Sequence, residues 1–191
     1  MENQEIKIKK AKVSKGGCVE ASYIDADGNE ITLKGKNKCH NDLRVAFAAL
    51  VPFFADLTEQ KEADSIDWTE LESGGNVDLL RRLDVTGISV GGDNNNRFIT
   101  MTGKRTLITS RILNLNAPGV EMDSETFEWS HIDDFDVAVE NVLYEVKEYI
   151  LNRKWEVAQT SLFDGDPDDP FGEATPTDDA PPIEQPAENV A

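Results

Sequence analysis

Residues 133–150, DDFDVAVENVLYEVKEYI, repeat apolar side chains at helical spacing: Phe135, Ala138, Val139, Val142, Leu143, Val146, Tyr149 and Ile150. This pattern predicts an amphipathic helix from about Asp133 to Trp155. Ser130 and Asp133 stand three apart as a capping box, and Arg153 and Lys154 suit the negative C-terminal end. Such a helix needs an apolar layer to lie on, and the preceding sequence offers strands. Ile6 and Ile8 alternate with lysines, Val19, Ala21 and Tyr23 share one face, and Ile31 and Leu33 share another. Gly16-Gly17 and Asp27-Gly28 supply tight turns, which gives a three-stranded meander.

A second helix is expected after Asn41 or Asp42 as N-cap, with Leu43, Phe47, Leu50 and Phe54 on one stripe and a kink or stop near Val51 imposed by Pro52. Residues 56–78 read as a loop, with a turn of helix over Val77–Leu83. Three further strands are expected over Asp84–Val90, Arg97–Thr102 and Thr106–Leu113. In the first, Val85, Gly87 and Ser89 oppose Thr86, Ile88 and Val90, and Pro118-Gly119 closes the sheet region. The fold class is therefore α+β: a mainly antiparallel sheet of about six strands packed against two main helices.

Charge is distributed unevenly along the 191 residues. The chain carries −18 overall, with nine acids and no Lys or Arg from Asp164 to Ala191. Six of the eight prolines fall there too, a composition that cannot bury enough surface to offset its ordering entropy. The expected organisation is one domain over 1–158, a short peptide at 159–163 and a disordered acidic tail at 164–191. The bulk charge argues against nucleic-acid binding through the whole surface. The first forty residues are nonetheless mildly basic, and Lys7, Lys9, Lys34 and Lys36 are candidate phosphate contacts.

Two cysteines, Cys18 and Cys39, are too few for a disulfide scaffold, and free thiols in a reducing cytosol are expected. The longest apolar stretch, Val45–Ala55, is too short to span a membrane. Cys18, Cys39, His40 and His131 lack zinc-ligand spacing, and Asp25, Asp27 and Asn29 begin like a calcium loop but continue with Glu30 and Lys36 where Gly and Glu are needed. Neither a metal nor a cofactor is expected. No nucleophile triad or phosphate loop is legible, so the expectation is a protein that is not an enzyme.

The peptide Gln159-Thr160-Ser161-Leu162-Phe163 follows the last helix. Its adjacent Leu and Phe have no periodicity that carries them into a core; they suit an apolar pocket on a partner, with Gln159 hydrogen-bonding in a second one. The alternative is that Leu162 and Phe163 fold back as a staple on the end of the helix. Gln159, Ser161, Leu162 and Phe163 resemble the bacterial sliding-clamp-binding peptide, whose second position is normally aliphatic and is Thr160 here. Asp168-Asp169-Pro170-Phe171 faintly resembles the acidic tip of single-stranded-DNA-binding proteins, without its terminal Phe, and reads as a solvated charge run.

His40-Asn41-Asp42-Leu43, Leu83-Asp84-Val85-Thr86-Gly87-Ile88-Ser89 and the helix running into the terminal peptide resemble a group of small phage and prophage proteins with no assigned activity, over roughly residues 5–163. The resemblance implies a phage origin, action in the cytoplasm of a bacterial host, and a sliding clamp as partner. The alternative expectation is a single-stranded nucleic-acid-binding module whose acidic tail competes for its lysines.

Overall fold

The computed structural model describes residues 6–71, 76–93, 96–122 and 128–155. The α+β class is as expected. Strands β1 (Lys7–Val13), β2 (Cys18–Ile24) and β3 (Glu30–Lys38) form the meander, followed by β4 (Leu83–Asp93), β5 (Asn96–Thr106), β6 (Ile112–Asn116) and a two-residue β7 (Val120–Glu121). The sheet order is β3-β2-β1-β4-β5-β6, all antiparallel, with β7 also on β5. The helices are α1 (Asn41–Ala49), α2 (Val51–Leu57), the single turn α3 (Val77–Leu80) and α4 (Ile132–Leu151).

One face of the sheet carries Ile8, Ala11, Val19, Ala21, Val85, Ile88, Ile99 and Met101, all buried, and α1, α2 and α4 pack against it. Phe135, Val139, Val142 and Val146 of α4 are fully shielded, as the apolar stripe predicts. At the far end of that stripe the Tyr149 hydroxyl donates to the Asn37 carbonyl at 2.7 Å and lies directly over Gly35. A Cβ at Gly35 would overlap that hydroxyl, so the glycine is what lets the helix approach β3.

The break expected near Val51 is there, at Leu50, and Pro52 sits in the first turn of α2, where a missing amide donor has no consequence. Several expected boundaries move, each for a physical reason. The N-cap of α1 is His40, whose Nδ1 accepts from the Asp42 amide at 3.3 Å, rather than Asn41 or Asp42. In β4 a bulge between Val85 and Gly87 shifts the register, so Val85 joins Ile88 and Val90 on the buried face. Residues 107–111, read as strand from their β-branched composition, instead form a turn closed by Leu107 N–H to Arg111 C=O, with Ser110 at φ 60°. The strand expected there starts at Ile112, and pairing resumes after Pro118-Gly119 in β7.

Helix α4 ends at Leu151, short of Trp155. Its N-cap is His131, with no side-chain capping bond from Ser130 or Asp133. Beyond it, Arg153 adopts φ 54° and the chain turns back, so that Trp155 bridges to Cys39. Lys154 bonds Asp42 at 2.6 Å and Glu145 at 2.9 Å; those two carboxylates, Asp42 first, raise its pKa above the usual lysine range. The C-terminal end of α4 is thereby tied to the start of α1. The boundary expected near Ala158, the peptide at 159–163 and the tail at 164–191 lie outside the described residues.

Candidate anion-facing cleft

The face of the sheet opposite the helices is polar. Successive registers run Lys34, Glu20, Lys12, Gly87, Thr102 and Asn116 across six strands, and beside them Thr32, Ser22, Lys10, Ser89 and Thr100. Among the sequence-selected lysines, Lys7, Lys34 and Lys36 are exposed, whereas Lys9 is the extra residue of a bulge in β1 and is half-buried. They do not converge on one point. Lys7 sits opposite Ile24 and Lys34 opposite Glu20, so the set is strung out along the strands.

A concave site forms elsewhere, at the gap in the sheet, lined both by strand residues and by α1. Strands β1 and β4 pair only through Lys10–Lys12 and Gly87–Ser89, while β4 and β5 pair along nearly their whole length. The sheet is thus two three-stranded wings joined by a short ladder. Where that ladder stops, a cleft of about 750 Å³ opens between the wings. Lys12 from β1, Lys15 from the β1–β2 turn, Lys38 from β3, Arg44 from α1 and Lys104 from β5 line it, against two carboxylates, Glu20 and Asp84. Val13, Phe47 and Val85 form an apolar floor, and Ser14, Thr86 and Asn114 add hydroxyl and amide groups.

The turn at Ser14–Gly17 shapes one wall. Gly17 donates to the Ser14 carbonyl, accepts from the Cys39 amide, and adopts φ 81°, a left-handed geometry that glycine takes without strain. The Arg44 guanidinium lies 3.2 Å from where a Gly17 Cβ would stand, with the Lys38 stem beside it. On the other wall Lys104 pairs with Asp84 at 2.8 Å.

No protein family, curated protein or solved structure matches the chain. The functional reading therefore rests on the chain's own residues.

The other sequence-level candidates separate cleanly. Cys39 is buried, with His40 beside it at the start of α1, whereas His131 stacks on Trp68 at 3.5 Å between ring centroids, at the opposite end of α4. A 20-residue helix is about 30 Å long, so those ligands cannot meet. Asp25 accepts from the Asp27 and Asn29 amides and the Asn29 side chain, which hold its carboxyl below the usual aspartate range; the run is a hairpin turn. No described helix is long and apolar enough to cross a membrane. Of the cleft cations, Lys12, Lys15 and Lys38 were visible as part of a lysine-rich segment. Arg44 and Lys104 carried no local signal: Arg44 reaches the Gly17 turn from α1, and the β1–β4 adjacency brings Lys104.

Proposed function

We propose that this protein is a phage or prophage accessory protein that docks on the bacterial host's DNA sliding clamp, acting in the host cytoplasm in or against DNA replication and repair. The observation that carries this reading is the peptide itself. Gln159, Ser161, Leu162 and Phe163 match four of five positions of the clamp-binding pattern, a few residues beyond the tied end of the folded body at Lys154 and Trp155. Leu162 and Phe163 fill the apolar pocket of the clamp, Gln159 anchors by hydrogen bonds, and Ser161 fits the polar position between them. The acidic stretch beyond Phe163 repels DNA and mimics its charge, which favours occupancy of the clamp over contact with the duplex it encircles.

Competition with a synthetic peptide of the Gln-Leu-Ser-Leu-Phe type on purified bacterial clamp tests this. Displacement of the full chain by the peptide is the expected result; binding that persists at saturating peptide rejects the assigned anchors.

The alternative, single-stranded nucleic-acid binding by Lys7, Lys9, Lys34 and Lys36 with the acidic tail as competitor, is favoured by the exposure of Lys7, Lys34 and Lys36 on the sheet face opposite the helices. Deleting residues 164–191 strengthens single-stranded DNA binding on this reading, with steep salt dependence. Absence of binding by the shortened chain removes it.

A further inference from the structure

We infer that the cleft between the two sheet wings is a phosphate-binding site. The inference is independent of the terminal peptide. Four lysines and Arg44, from five separate segments, line the cleft with two carboxylates, Glu20 and Asp84, in a chain whose total charge is −18. Cations on a merely solvated surface spread apart, because like charges repel and water screens them cheaply. Here the fold brings them together: the Gly17 turn carries Lys15 and lies beside the Arg44 guanidinium, and where the short β1–β4 ladder stops, Lys12 and Lys104 line one cleft.

The chemistry of the lining selects the ligand class. Lysine and arginine with Ser14, Thr86 and Asn114 offer several donors suited to the oxygens of a phosphate, and the apolar floor lowers the local dielectric and strengthens each contact. A volume of about 750 Å³ exceeds what inorganic phosphate fills, so the site has room for a phosphate and the group attached to it. That attached group belongs either to a small phosphorylated compound or to the end of a nucleic-acid strand. The phosphate recognition is shared.

The test titrates the full chain at low salt with pyrophosphate, and with one oligodeoxynucleotide bearing either a 5′-phosphate or a 5′-hydroxyl. Lys15→Glu/Lys38→Glu alters the cleft; Lys61→Glu/Lys147→Glu makes the same charge change at residues that line neither the cleft nor the polar sheet face. Thermal melting of each variant confirms folding. The expected result is binding of pyrophosphate that weakens by about tenfold or more in the cleft variant and stays within about twofold in the other. Preference for the 5′-phosphorylated strand over its hydroxyl twin assigns the ligand to a strand end, and pyrophosphate binding without oligonucleotide binding assigns a small compound. Equal weakening by both pairs shows a diffuse field and overturns the site. Failure of the folded parent to bind any of the three probes overturns it as well, without bearing on the clamp reading.

Discussion

The body up to Phe163 and the segment after it carry equal net charge: 28 acids less 19 bases gives −9 in the first, and nine acids without a base gives −9 in the second. Their charges work differently. In the body, acids are held by cations across the fold: Glu62 by Arg105 at 2.6 Å, Asp42 and Glu145 by Lys154, Asp136 and Glu140 by Arg97. The terminal segment contains no cation of its own to pair with. Charge in the body fixes geometry. The acidic terminal segment begins directly after the apolar pair Leu162-Phe163, on which the proposed docking depends.

The largest expected effect is in the core. Phe54 is fully buried, touching the space above Gly103, and Phe54→Ala should lower unfolding free energy by about 3–5 kcal/mol in a denaturant titration. A small loss would mean that the body is held together elsewhere.

Next comes Arg105, whose guanidinium donates to both Glu62 oxygens at 2.6 and 2.7 Å and to Gln60 Oε1 at 2.8 Å. Arg105→Ala should cost about 1–3 kcal/mol at neutral pH, discounted for partial exposure of the pair. The Arg105 hydrogen bonds hold the Glu62 carboxyl below its ordinary 4.5. A depressed carboxylate contributes stability that is fully present above 4.5 and is lost as pH falls through the lower folded value. The gap in melting temperature between parent and Arg105→Ala should therefore be largest near pH 7 and narrow below about pH 4. A gap that widens on acidification would contradict the assignment.

Smaller still, Lys10→Ala/Lys34→Ala on the polar sheet face should shift stability by no more than about 0.5 kcal/mol per site. The smallest effect belongs to the terminus. Leu162→Ala/Phe163→Ala should leave the melting temperature of the full chain unchanged; a loss comparable to a core truncation would favour the staple over the docking peptide.

How far the sequence foretold this architecture depended on the range of the deciding interaction. The α4 stripe from Phe135 to Tyr149 was legible because helical period is local, and the β1–β2–β3 meander because Gly17 and Gly28 mark its turns. The bulge at Thr86 was not legible, since it is defined by what β4 faces on β5. The Leu107–Arg111 turn was misread because β-branched residues suit strands, while the ladder from β5 leaves Ile108 exposed. The cleft was half visible: Lys12, Lys15 and Lys38 lie in one lysine-rich segment, but Lys104 reaches them only through strand order and Arg44 through the placement of α1.

The central claim, that the peptide at 159–163 docks on the sliding clamp, is tested most directly by titrating purified bacterial clamp with the full chain and with Leu162→Ala/Phe163→Ala, melting both in parallel. Saturable binding by the parent is expected, weakened at least about tenfold in the variant at an unchanged melting temperature. Absence of clamp binding by the folded parent, or equal binding by both chains, would contradict it.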